Sequence, residues 1–132
     1  MIYNYTTMSL TSFRNDRTDP LPHPLPDDLV DLIARRFRAL SEPMRIRLLD
    51  RLREGEATVG ELAEAVGASQ QNVSKHLAVL GEVGILGRRK HGNHVYYRIA
   101  DEGVLTLCEQ VCGSLRQQLS SLAALVAGEA GR

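Results

Sequence analysis

The chain has 132 residues and carries 16 basic and 16 acidic side chains, so its formal net charge is zero. This length suits one domain, and a hydrophobic fraction of 43% is enough for a modest core. The sequence has no apolar run of about 18 residues, which excludes a transmembrane helix. Residues 1–12 also lack the basic start and apolar stretch of a secretory signal, so we expect a cytoplasmic protein without a membrane partner.

The prolines suggest where the folded part begins. Four of the five lie between residues 20 and 26, and no apolar period runs through the segment before them. We therefore predict a flexible N-terminal arm over residues 1–25, a folded domain over residues 26–127 and a short tail over residues 128–132. The arm is either a plain extended leader or a segment that packs on a partner subunit.

The first part of the domain has the apolar period of two helices. Residues 26–40 place one apolar face on a helix, which comprises Leu29, Leu32, Ile33, Phe37 and Leu40. Ser41 has the side chain of an N-cap and precedes Pro43, which suits the first turn of a second helix. We expect this helix to run to about Arg53, before Gly55, and to point inward Met44, Ile46, Leu48, Leu49 and Leu52.

The next segment has the pattern of a helix-turn-helix. Thr58 and Glu61 have the spacing of a capping box at the start of a third helix, and Gly67 is a natural stop for it. Ser69 then caps a fourth helix that runs to about Gly81. Two short helices joined by a glycine turn of this length indicate a helix-turn-helix, whose second helix buries Val73, Leu77 and Leu80.

The pattern then changes to that of a β-hairpin. Residues 85–90 and 94–99 are two strand-like runs, and the residues between them, His91, Gly92 and Asn93, are typical of a tight turn. Because side chains alternate along a strand, one of Tyr96 and Tyr97 should pack inward and the other should face outward. A basic hairpin directly after a helix-turn-helix predicts a wing.

Asp101 caps a last helix that runs to about Ala127. Its apolar residues recur at alternating steps of three and four, which is the period of a coiled-coil seam. We therefore predict a homodimer held by this helix and the first helix. The predicted dimer interface on the last helix comprises Leu105, Cys108, Cys112, Leu115, Leu119 and Leu122, with Val126 completing the seam.

Together these elements predict a mainly α fold with a small β-hairpin, a winged helix-turn-helix of order α-α-α-α-β-β-α that dimerises through its terminal helices. Between residues 69 and 99 the chain has five basic side chains against the single acid Glu82, a local charge of +4. One positive face on a neutral body favours double-stranded DNA as the partner. We therefore expect a DNA-binding protein and not an enzyme.

The fourth helix and the wing are the predicted DNA-binding surface. A recognition helix presents its N-terminal half to the major groove, where glutamine and asparagine pair with adenine; the candidates are Ser69, Gln70, Gln71, Asn72, Ser74, Lys75 and His76. The wing would neutralise phosphates or enter the minor groove, through Arg88, Arg89, Lys90, His91, Gly92, Asn93 and Arg98. The alternative is a solvated surface on a winged helix that serves only protein interaction.

The sequence resembles the ArsR/SmtB family of bacterial repressors. The similar segments are ALSEPMRIRLLDRL at residues 39–52, TVGELAEAVGASQQNVSKHLAVLGEVGIL at residues 58–86 and GRRKHGNHVYYRI at residues 87–99. The resemblance covers about residues 30–120. It implies a homodimer that represses an operon by binding an imperfect inverted repeat, and many family members release DNA when a metal ion or an oxidant reaches a sensor site.

The sensor positions of the family differ here. One family site has a pattern like Glu-Leu-Cys-x-Cys in the helix before the turn, but residues 61–65 read Glu-Leu-Ala-Glu-Ala. Another site uses Asp-x-His early in the last helix; here Asp101 is present, Gly103 replaces the histidine, and Ser114 and Gln117 fall near the later ligand positions. We therefore expect both familiar metal sites to be absent.

Two thiols remain as sensor candidates, Cys108 and Cys112, which are four residues apart and so share one helix face. Two copies across a dimer axis would bring up to four thiolates together, which would suit zinc or another thiophilic metal. The same thiols could instead react with an oxidant or a reactive sulfur species. Both also occupy seam positions, where cysteine packs as a small hydrophobe, so an ArsR-like repressor without an inducer site stays open.

Overall fold

The computed structural model describes residues 20–128; the predicted arm before residue 20 and the tail after residue 128 lie outside the described residues. The mainly α fold is confirmed, and a third, short strand is added to the predicted hairpin. The elements are α1 (Asp27–Leu40), α2 (Pro43–Leu52), β1 (Ala57–Thr58), α3 (Val59–Val66), α4 (Gln70–Glu82), β2 (Leu86–His91), β3 (His94–Ile99) and α5 (Glu102–Val126).

The three strands form one antiparallel sheet in the order β1-β3-β2. Strands β2 and β3 are joined by a two-residue turn whose flanking pair is His91 and His94, and Gly92 in this turn has a φ of 61°. The predicted alternation of the tyrosines is confirmed. Tyr97 pairs with the buried Ala57 and packs against the core, whereas the ring of Tyr96 lies under the guanidinium group of Arg89.

The predicted caps of the helix-turn-helix are present. The Thr58 hydroxyl accepts a hydrogen bond from the Glu61 amide at 3.2 Å, and the Glu61 carboxylate accepts one from the Thr58 amide at 3.1 Å. This second bond lowers the pKa of Glu61 below its usual range. Gly67 ends α3 with a φ of 67°, a conformation that glycine adopts without steric cost. Both ends of α3 are therefore specified by local residues.

Two predictions about α2 are wrong. Its N-cap is Glu42, whose carboxylate accepts from the Met44 amide at 3.3 Å, whereas the Ser41 hydroxyl donates to the Arg38 carbonyl at 2.8 Å and closes the end of α1. Ile46, predicted to point inward, is 49% exposed within the subunit. The remaining inward predictions hold, since Leu48, Leu49 and Leu52 are buried and Met44 packs against the core.

The core lies where α2, α3 and α4 meet the sheet. The largest fully buried side chains are Leu48, Leu62, Val73, Leu77, Leu80 and Ile85. Helix α5 contributes Val104 to this core. Within residues 20–128, no other element packs over the leucines of its second half. Its leucines Leu115, Leu119 and Leu122 are 51%, 64% and 57% exposed. None of the helices in this part of the chain has both the length and the apolar character to cross a membrane.

Candidate nucleic-acid interface

Helix α4 buries one side and exposes the other along its first two turns. Val73, Leu77 and Leu80 fix the buried side. The Ser69 hydroxyl accepts a hydrogen bond from the Asn72 amide at 3.1 Å, so it caps the helix. The predicted base-reading side chains Gln70, Gln71, Asn72, Ser74 and Lys75 are all exposed. Gln71 and Lys75 point directly away from the buried side, whereas Gln70, three residues before Val73, lies at its edge with its side-chain amide near Gly60 of α3.

His76 differs from the other candidates on α4. Its side chain is only partly exposed, and its Nδ1 accepts a hydrogen bond of 3.2 Å from Nε of Arg45 in α2. Arg45 itself was not among the predicted site residues. No local pattern identifies it, because the two residues are 31 positions apart and on different helices.

The register of the hairpin divides the predicted wing residues between two faces. Arg88 is opposite Tyr97 and Lys90 is opposite Val95, so both lie on the face that carries Tyr97. Arg88 and Tyr97 line a groove of about 550 Å³ together with Ser74 of α4. The structure therefore brings Arg88 beside the exposed helix face.

Arg89 lies on the other face of the wing and has an acidic partner that sequence reasoning missed. Its Nε donates to the Glu56 carboxylate at 2.9 Å, and its guanidinium carbon is 4.8 Å from the centre of the Tyr96 ring. This bond lowers the pKa of Glu56 from its ordinary 4.5 and raises that of Arg89. Glu56 precedes β1, and only the pairing of β1 with β3 brings it beside the wing. The charge of the wing is therefore less positive than the sequence count suggests.

The rest of the predicted wing surface is accessible. Arg98 is opposite Gly87, and a Cβ atom at Gly87 would lie 2.9 Å from the guanidinium carbon of Arg98. A side chain at position 87 would therefore displace the flexible end of Arg98. The tip and its flanks are exposed, namely Lys90, His91, Gly92 and Asn93.

The candidate sensor thiols lie away from this surface. Both are free; Cys108 is partly buried and Cys112 is exposed within the subunit. They line a groove of about 500 Å³ between α2 and α5, whose remaining walls are Ile46, Leu49, Leu105 and Gly113 and the charged residues Arg47, Asp50, Arg53, Glu109 and Arg116. Within residues 20–128 of one subunit, no three histidine, cysteine or acidic side chains are grouped as metal ligands. Two thiols alone do not complete a tetrahedral zinc site.

The chain is similar to known regulators. A family model described as a helix-turn-helix domain matches residues 40–89. The transcriptional regulator KmtR of Mycobacterium tuberculosis is 40% identical over 89 residues, which are 67% of this chain and 68% of KmtR. The repressor SmtB of the same species is 38% identical over 80 residues, which are 61% of this chain and 59% of SmtB.

A solved structure is similar over most of the chain. It is the homodimeric winged helix-turn-helix DNA-binding domain of a possible ArsR-family regulator from Mycobacterium bovis. The two chains are 35% identical with a TM-score of 0.65, over 70% of this chain and 85% of that one. Because 85% of that domain is covered, the similarity extends over most of a winged helix-turn-helix domain.

Proposed function

Since the chain belongs to the ArsR/SmtB family of winged helix-turn-helix transcriptional repressors, we propose that it binds an inverted-repeat operator as a homodimer in the cytoplasm. The observation that carries this proposal is the exposed face of α4. Five polar side chains are exposed between residues 70 and 75, and the helix has no acid before Glu82. A carboxylate on this face would repel the phosphates, so its absence suits contact with DNA.

The dimer is supported by the second half of α5. Three leucines that are more than half exposed lie at coiled-coil spacing on this helix. The homodimeric state of the Mycobacterium bovis domain supports the same assembly. Two copies related by a two-fold axis would present their α4 helices to successive major grooves of one duplex, about 34 Å apart.

Two substitutions on α4 separate base reading from phosphate contact. Gln71→Ala should weaken binding to the DNA upstream of its own gene by about 1–3 kcal/mol and leave scrambled DNA unaffected. Lys75→Ala should weaken both DNAs alike and reduce the slope of log affinity against log salt by about one. Gln110→Ala, an exposed glutamine on α5, is the control. Equal affinity of the unmodified protein for both DNAs would refute the proposal.

We further propose that a metal ion, an oxidant or a reactive sulfur species releases the operator by reaching Cys108 and Cys112. In support, Cys112 is exposed, and its groove is lined by three arginines and two acids, of which Arg53 and Asp50 pair with each other. The remaining arginines, Arg47 and Arg116, outnumber Glu109 and can attract an anionic reagent. A thiophilic metal such as zinc would need thiolates from both subunits, because each chain supplies two. The proposed ligands are these four thiolates.

The release signal is tested by adding zinc, arsenite, peroxide and persulfide separately to the protein–DNA complex. If the thiols sense the signal, Cys108→Ser and Cys112→Ser should each abolish release. Cys108→Ala and Cys112→Ala keep an apolar side chain and so separate thiol chemistry from packing. Native mass spectrometry then identifies the agent, since bound metal, added oxygen and added sulfur change the mass differently. Release that is unchanged in all four variants would show that the thiols only pack.

A further inference from the structure

Arg45 connects the helix proposed to read DNA with the two helices before it. From α2, its Nε–H donates to Nδ1 of His76 in α4 at 3.2 Å. Its terminal nitrogen donates to the carbonyls of Ala39 at 3.0 Å and of Arg38 at 3.4 Å, at the end of α1. Three hydrogen bonds from one guanidinium group therefore hold His76 in a defined relation to α1 and α2.

The chemistry of the two side chains determines where the proton of His76 lies. A guanidinium group is protonated throughout the usual pH range and has donors only. The His76 nitrogen that faces it must therefore be the acceptor, which requires Nδ1 without hydrogen. A neutral imidazole has one hydrogen, so that hydrogen must be on Nε2. Nε2 is also the only ring nitrogen left for another partner.

We infer that Arg45 selects the Nε2–H tautomer of His76 and thereby makes His76 a donor-only reader of DNA. This inference rests on the proposed role of α4. A donor at this position can bind phosphate oxygens, guanine O6 and N7, adenine N7 or thymine O4, whereas it cannot accept from the amino groups of adenine or cytosine. Arg45 is thus a positioning residue that acts on specificity through His76, without touching DNA.

The tautomer can be measured on the free protein. In alkaline buffer, long-range ¹H–¹⁵N correlation spectra distinguish the two neutral tautomers of each histidine, and loss of one signal set in His76→Gln assigns His76. We expect only the Nε2–H form in the unmodified protein and a mixture of both forms in Arg45→Met. Arg51→Met is the matched control, since it removes a charge from α2 at a residue that pairs with Glu54 and lies outside this hydrogen-bond network. A mixture in the unmodified protein, or no change in Arg45→Met, would overturn the inference.

The consequence for DNA is tested with the same variants. Arg45→Met should lower the preference for the operator over scrambled DNA by about fivefold, as expected for one hydrogen bond, and Arg51→Met should leave it unchanged. Equal preference in the two variants would overturn the effect on specificity. If the unmodified protein has no preference at all, the proposed function fails, while the tautomer measurement still decides whether Arg45 controls His76.

Discussion

The guanidinium group of Arg36 in α1 binds the Asp101 carboxylate that caps α5. Its other terminal nitrogen donates to the carbonyl of Val83, at the end of α4. The second Asp101 oxygen accepts from the Gly103 amide at 2.9 Å. One arginine therefore fixes the proposed reading helix relative to both proposed dimerisation helices. Asp101 also matches the first residue of the family's Asp-x-His metal pattern, and here both its oxygens have partners within the chain.

Asp101→Ala should lower the free energy of unfolding by about 2 kcal/mol. About 1 kcal/mol comes from the lost N-cap, and about 1 kcal/mol from the ion pair, whose side chains are 41% and 29% exposed. Urea unfolding at one fixed protein concentration measures the change, since the stability of a dimer depends on concentration. Asp50→Ala breaks the more exposed pair with Arg53 and should cost less than about 0.5 kcal/mol. Equal losses in the two variants would contradict this account of Asp101.

The carboxyl group of Glu56 should titrate below its ordinary 4.5, chiefly because Arg89 hydrogen-bonds to its charged form. The pKa is lower in the folded state than in the unfolded state. The stability that this pair contributes is therefore present above pH 4.5 and is lost as the pH falls through the folded pKa. Carbon-13 NMR titration of the carboxyl group measures it. Arg89→Gln should move the midpoint toward 4.5, whereas Arg88→Gln, on the opposite face, should not.

Removal of the Glu56 charge should strengthen DNA binding. Glu56→Gln frees Arg89 and removes a negative charge from beside the wing, so affinity should rise about threefold. The slope of log affinity against log salt should become steeper by about one, as expected for one more phosphate contact. Glu54→Gln is the control, because Glu54 pairs with Arg51 of α2. If both variants bind DNA alike, Arg89 does not reach the phosphates.

Leu119→Asp should dissociate the dimer. If two leucines, one from each subunit, lose about 1.5 kcal/mol of burial each, the dissociation constant should rise at least about 100-fold. Gln117→Asp adds the same charge to a polar part of α5 and should have little effect. Analytical ultracentrifugation measures both. A Leu119→Asp protein that remains dimeric would exclude the predicted seam from the interface.

Local sequence signals were sufficient to predict much of the fold. The capping box of Thr58 and Glu61, the stop at Gly67 and the cap at Ser69 each depend on residues within three positions, so sequence spacing identifies them. Ser41 failed as an N-cap because the adjacent Glu42 also has an acceptor side chain, and the chain begins α2 one residue later. Strand β1 has two residues and therefore no period to detect.

The contacts that connect elements could not be predicted from sequence. Arg36 and Asp101 are 65 residues apart, and Arg89 and Glu56 are 33 apart, so each pair forms only through the packing of several elements. A count of charges along the sequence therefore could not show that Arg89 is paired with Glu56. The candidate DNA-contacting residues of α4, in contrast, were chosen because the helical period predicted that they are exposed. This prediction of exposure is correct for Gln71 and Lys75.

The most direct test of the central claim is dimethyl sulfate footprinting of the protein on the DNA upstream of its own gene, because this reagent reports guanine N7 in the major groove. A dimer that presents two α4 helices should protect two clusters of guanines, related by two-fold symmetry and about 10 base pairs or a multiple of this distance apart. Gln71→Ala should weaken both clusters. A single cluster, or no protected guanine in the major groove, would contradict the account.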